Sequence, residues 1–167
     1  MKVTRPKSES NEAGTEVASL AGARWRGAFA VLCTPFRSDG SVDWASLANE
    51  VQFCLEAGAH GLVCSVNGSE SWTLTDGERL QATDAILEEV RGQVPVVVGV
   101  SAGSIEASQF FARQAEAAGA DALVAMPPPS RLSAGIDARS FYGALASAVG
   151  IPVMIQNACL LYTSRCV

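Results

Sequence analysis

The chain has two lysines, Lys2 and Lys7, one histidine, His60, and no Cys-x-x-Cys pair. Each scarcity excludes something. One histidine without clustered carboxylates argues against a metal centre, which needs three or four converging ligands. The five cysteines, Cys33, Cys54, Cys64, Cys159 and Cys166, are odd in number and unpaired in spacing, so no disulfide framework is expected. Cys33, Cys54 and Cys64 lie inside apolar runs and read as buried thiols of a reducing compartment. No apolar run approaches the roughly 18–20 residues that cross a bilayer, so no membrane partner is expected. The start carries Lys2, Arg5 and Lys7 without a continuous apolar stretch, unlike a secretory signal. The expected location is the cytoplasm. Basic charge is also short: a net charge of −5 leaves no basic face for nucleic acid. A small anionic substrate is still admissible, since a few local donors hold one carboxylate.

What is present is a globular composition. Of 167 residues, 49% are apolar and 17% charged, enough for one domain with a sizeable core. Residues 1–25 are Ser/Glu/Ala-rich without a hydrophobic period and read as a flexible extension. A rhythm then begins. Apolar runs at Ala28–Cys33, Gly61–Val66, Val94–Val100, Ala122–Ala125 and Ile151–Ile155 alternate with helical periods at Asp43–Ala57, Thr75–Val90, Ser104–Ala118 and Asp137–Val149. Trp44, Leu47, Ala48, Val51 and Leu55 share one face of the first helix, and Thr75 with Glu78 has capping-box spacing. The strands are continuously apolar, which implies burial on both faces in a parallel sheet covered by helices. Units of roughly 25–35 residues suit a doubly wound sheet or a (β/α)₈ barrel, and pattern alone does not separate them.

Five stretches in order carry a resemblance. They are Gly27–Phe36 with Asp39-Gly40-Ser41-Val42-Asp43; Gly58-Ala59-His60-Gly61-Leu62; Glu70–Thr75 through Glu78-Arg79; Val94–Val100; and Gly119–Ala122 leading into Met126-Pro127-Pro128, then Ile151–Asn157. Over residues 26–158 the chain resembles the pyruvate-dependent aldolase superfamily of dihydrodipicolinate synthase and N-acetylneuraminate lyase. The resemblance implies an α/β fold, a (β/α)₈ TIM barrel, of which this chain holds about five βα units. It also implies a lyase of class I aldolase type. Such enzymes make or cleave carbon–carbon bonds through a Schiff base between a lysine and a 2-keto acid such as pyruvate, need no cofactor, and are usually homotetramers.

That chemistry needs a neutral lysine amine, a proton relay and donors for the substrate carboxylate. The family's lysine stands on a sixth strand, whereas Lys2 and Lys7 precede the first, so the chain as given is expected to be inactive by that route. The relay positions depart as well. The family's relay threonine after the second strand maps to Asn67, the next threonine to Gly68, the tyrosine after the fourth strand to Pro129, and the acid/base tyrosine to Gln156. None of these carries a hydroxyl. The candidate substrate-binding residues are therefore Asn67, Gly68, Ser69, Glu70, Gln156, Asn157 and Thr34, at strand C-terminal ends where barrel sites form. The alternative is a non-catalytic small-acid-binding barrel, or a divergent lyase with another relay.

Bland roles compete at single positions. Glu70 is expected to brace its loop by accepting from backbone N–H groups, with ligand contact as the alternative, and Thr34 to brace the first βα loop. Ser101 and Ser104 are expected to cap the third helix. His60, before the second strand, lies at the stability face of a barrel. Gly99–Ser104 has the form of a phosphate cradle, a generic signal. Trp72 and Phe141 are expected to pack. Finally, Cys159-Leu160-Leu161-Tyr162-Thr163-Ser164 is what TGT CTC TTA TAC ACA TCT encodes, the end of a common transposase-based sequencing adapter. Residues 159–167 are expected to be adapter read-through.

Overall fold

The computed structural model describes residues 25–126 and 137–156. Its elements are β1 (Phe29–Val31), α1 (Trp44–Glu56), β2 (Gly61–Cys64), α2 (Asp76–Val90), β3 (Val96–Gly99), α3 (Ile105–Ala118), β4 (Ala122–Ala125), α4 (Ala138–Ala148) and β5 (Val153–Ile155). A single 3₁₀ turn at Asn67–Ser69 follows β2. Each helix begins at a side chain that accepts from its own first turn. Asp43 accepts from Ser46 N–H, Ser104 from Ala107 N–H, and Asp137 from the N–H groups of Arg139 and Ser140. Thr75 and Glu78 form the reciprocal capping box that their spacing predicts. These caps satisfy donors that a helix start otherwise leaves bare.

All strand pairs are parallel, in the order β1-β2-β3-β4-β5. A doubly wound sheet reverses its strand order at a switch point, whereas a barrel does not. The unreversed order, with consecutive helices packed side by side, decides between the two architectures: these are the first five strands of a (β/α)₈ barrel. The helix-facing row of the sheet makes the core. Leu62, Cys64, Val96, Val98, Leu123 and Ala125 lie in one buried cluster with Leu47 and Val51 of α1, Ile86 of α2, Ala112 of α3 and Phe141 of α4. On the opposite face Val31, Val63 and Val124 lie outside that cluster and keep part of their surface exposed.

The thiols need a correction. Cys64 is buried, and burial pushes its pKa up to about 12, so it is inert at neutral pH. Cys54 is half-buried, and Cys33, two residues past the end of β1, is exposed. Phe141 is buried as expected, but Trp72 is 52% exposed and does not pack into the core. His60 stands at the N-terminal side of β2, where its Nδ1 accepts from Ala28 N–H at 3.2 Å. Its ring lies where a Cβ on Gly27 would be, at 2.3 Å, and Gly27 takes a φ of +104° there. Glycine is the residue that allows both.

Two outcomes follow. Leu123→Ala, at a site with no exposure, should lower unfolding free energy by about 2–5 kcal/mol in urea titration. The cap carboxyls of Asp43, Glu78 and Asp137 are held below their ordinary values, chiefly by hydrogen bonds from the hydroxyls of Ser46, Thr75 and Ser140. A depressed carboxyl contributes stability above its unfolded value and loses it as pH falls through the folded one. The urea midpoint should therefore hold from neutral pH down to about 5 and drop below about 4.

Candidate functional site

The C-terminal ends of the strands are built from short, tightly bonded loops. After β1, Thr34 donates its hydroxyl to the Ser69 carbonyl at 2.6 Å, and Ser69 donates its own to the Leu32 carbonyl at 2.6 Å. This reciprocal latch ties the β1 loop to the β2 loop, with Thr34 and Ser69 both buried. Thr34 braces the first loop as its position predicts. Ser69, a substrate-binding candidate by its position, is buried with its hydroxyl donating to this latch, so it ties the two loops together.

The β2 loop turns sharply. Ser65 and Glu70 both adopt left-handed backbone conformations, with φ of 56° and 52°, which non-glycine residues rarely take and which cluster at sites. The Glu70 carbonyl accepts from the N–H and hydroxyl of Thr73. Its exposed carboxylate has no hydrogen-bond partner among the described residues. Its backbone, not its side chain, holds the loop. Gly68 is exposed, and a Cβ there would stand 3.0 Å from Val31.

Asn67 reaches across the strand ends. Its amide Oδ1 accepts from the Trp72 indole N–H at 2.7 Å, and its Nδ2 lies 3.9 Å from the Met126 sulfur at the end of β4. Since β3 separates β2 from β4, this amide lies over the mouth of the sheet. Gln156 follows β5, where its N–H donates to the Ala125 carbonyl, so its residue stands beside the same end of β4. Pro129 and Asn157 lie outside the described residues.

Behind this mouth, Arg79 of α2 is buried, with no carboxylate in hydrogen-bond contact among the described residues. Its guanidinium donates to the Gly99 carbonyl at 2.7 Å and the Ser101 carbonyl at 3.0 Å, and sits 4.0 Å from the centre of the Phe111 ring. Burial lowers its pKa to about 10, so it remains a cation at neutral pH. Ser101, predicted to cap α3, instead accepts from Met126 N–H through its hydroxyl at 2.9 Å; Ser104 alone caps that helix. Within the Gly99–Ser104 segment, Gly99 and Ser101 serve contacts between neighbouring strands. A Cβ on Gly99 would stand 2.2 Å from the Ser65 carbonyl, so only glycine lets β2 and β3 approach this closely. A cleft of about 90 Å³ beside Arg79, bordered by Thr83, Asp84 and Gln114, opens between α2 and α3, away from the mouth.

Sequence reasoning missed four residues here: Arg79, Met126, Tyr142 and the site role of Trp72. Tyr142 of α4 donates its hydroxyl to the Ala125 carbonyl at 2.9 Å. Glu78-Arg79 belonged to the motif that carried the resemblance, yet a charged residue at a helix start gives no signal that it is buried. No group of three or more potential metal ligands occurs among the described residues, and no helix among them is long and apolar enough to cross a membrane.

An unreversed parallel sheet with consecutive helices packed side by side defines the (β/α) barrel class of folds. The comparisons narrow this. Residues 24–162 match the profile of the Dihydrodipicolinate synthetase family. A 4-hydroxy-tetrahydrodipicolinate synthase from Methylobacterium radiotolerans is 38% identical over 138 residues, 83% of this chain and 46% of that protein. An L-2-keto-3-deoxyarabonate dehydratase from Azospirillum brasilense is 37% identical over 138 residues, 81% of this chain and 45% of its own length. Among solved structures, YagE from E. coli K12, a prophage protein of the dihydrodipicolinic acid synthase family in complex with pyruvate, superposes with a TM-score of 0.77. It is 25% identical over 83% of this chain and 47% of its own. The chain belongs to the dihydrodipicolinate synthetase family. It spans about half the length of the curated relatives it matches.

The buried cation gives a prediction. Arg79→Met keeps the stem but leaves two carbonyls without donors, and should lower unfolding free energy by roughly 3 kcal/mol in urea titration. Lysine at the same position should rescue only part of this, since one ammonium does not reproduce the planar fork.

Proposed function

We propose that this chain is the N-terminal portion of a pyruvate-dependent lyase that works through a Schiff base on a 2-keto acid. The observation that carries the reading is the Asn67 amide held over the strand ends between Trp72 and Met126, at the position where this family binds substrate. Two of the similar proteins are named for keto-acid chemistry or hold pyruvate, which supports it. On this reading the lysine comes from a sixth strand outside the 167 residues. Residues 26–158 are the barrel segment, residues 1–25 an extension, and residues 159–167 foreign to the protein. The substrate is a small 2-keto acid, the location the cytoplasm, and the assembly a homotetramer.

The proton relay sets this protein apart. Asn67 and Gln156 are amides, which donate and accept hydrogen bonds but do not exchange protons near neutral pH, and Pro129 has neither hydroxyl nor N–H. Proton transfer would then fall to substrate hydroxyls or water, held by amides. The substrate-binding candidates are Asn67, Gly68, Ser69, Glu70, Gln156, Asn157 and Thr34, of which Thr34 and Ser69 also tie the loops together. The same missing hydroxyls favour a second reading, a barrel that binds a small acid without catalysis.

One experiment separates the two. The reading frame upstream of the codon for Ala158 is amplified with its native downstream sequence, expressed, and treated with pyruvate and borohydride. A frame that continues into a strand ending in lysine, with a mass increase at that lysine, is the expected result. A full-length protein that binds pyruvate but gives no reduced adduct would establish the non-catalytic reading.

A further inference from the structure

Trp72 is an apolar residue in an odd place. It lies five residues beyond Asn67 on an exposed stretch, with about half its surface open, and it contributes nothing to the buried cluster. What it does contribute is one hydrogen bond. Its indole N–H donates to Asn67 Oδ1 at 2.7 Å, a short and well-formed contact.

The chemistry of the indole makes this bond directional. An indole nitrogen donates and never accepts, so the atom it faces must be the amide oxygen. The amide is thereby fixed in one of its two orientations, and Nδ2 is turned to the opposite side. There it meets only the Met126 sulfur at 3.9 Å, a weak acceptor. Its N–H groups have no oxygen partner among the described residues. The mouth is thus offered a donor. In the flipped orientation it would be offered an acceptor, which repels a carboxylate or a keto oxygen.

We propose that Trp72 is a positioning residue for ligand recognition: it locks the Asn67 amide so that Nδ2 donates to an oxygen of an anionic, carboxylate-bearing ligand at the strand ends. The inference rests on the reading of the site given above, and it adds the polarity of the contact and the residue that sets it. It also explains why an exposed tryptophan is useful there. A buried anchor would not need solvent access, whereas a residue on the rim of a binding mouth is covered only when the ligand is present.

The test uses the barrel-length protein, with pyruvate as the probe. The first readout needs no ligand: the ¹⁵N-labelled Trp72 indole, assigned by its loss in Trp72→Phe. Its N–H should exchange with solvent more slowly than an exposed indole does, and Asn67→Ala should restore fast exchange. Fast exchange in the unsubstituted protein would overturn the proposal whatever the protein's activity. The second readout is the pyruvate concentration for half-maximal borohydride adduct. Trp72→Phe should raise it about tenfold, as expected for one misoriented hydrogen bond to a charged group, with the loss in half-saturation and not in the adduct reached at saturation.

Asn67→Asp is the decisive variant. It keeps the acceptor that Trp72 needs but exchanges the donor for a negative charge, so it should abolish saturation in the accessible range while leaving thermal stability intact. A purely structural pair would tolerate this change, and a normal half-saturation in Asn67→Asp would overturn the proposal. An unsubstituted protein with a slow indole N–H but no adduct would sink the Schiff-base reading instead. Titration by ligand-induced Trp72 shifts would then test the positioning role in the non-catalytic barrel, where the same loss in Asn67→Asp is expected and its absence would overturn the proposal.

Discussion

The buried guanidinium of Arg79 is the constraint on which the mouth of the sheet depends. A cation away from water is costly unless its donors are satisfied. Here two carbonyls at the end of β3 and the face of Phe111 do this. The result ties α2, β3 and α3 at one point. Ser101, whose carbonyl is held by Arg79, presents its hydroxyl to Met126 N–H, and Met126 stands under the Asn67 amide. The helical layer is thus linked through β3 to Met126 at the end of β4.

Against that fixed frame, the residues that the family resemblance maps to relay hydroxyls are two amides and a proline, Asn67, Gln156 and Pro129. Amides are good at holding a ligand in one orientation and poor at acid–base work. Ser69 and Thr34, the buried hydroxyls of the β1 and β2 loops, are committed to carbonyls on each other's loops. The mapped positions thus offer hydrogen-bonding amides where the family resemblance leads one to expect proton carriers.

Much of the fold was legible in the residues. All four helix starts were marked by a side chain that caps the first turn, and the continuous apolar runs implied a parallel, covered sheet. The strand order was not legible from pattern, because both candidate architectures alternate the same elements; the ordered motifs of the family supplied it. The site was only partly legible. Position anticipated the bracing by Thr34, but Ser101, Cys33 and Trp72 were misjudged. For each of these, local sequence gives the residue type, whereas its partner or its exposure is set by the surrounding fold. Ser101 bonds a backbone group 25 residues away, and no window along the chain contains that fact.

The unreversed strand order has a consequence for how the chain acquires its structure. Each strand pairs with its immediate predecessor, across separations of roughly 25 to 35 residues. Among the described strands no pairing waits for a distant segment, so the average loop closed in forming them is short for a sheet protein. Assembly can then proceed in the direction of synthesis, each βα unit docking on a finished neighbour as it emerges. The leading edge of the growing sheet is always the newest strand, and the interval before the next unit arrives is when that edge is open to pairing with other chains.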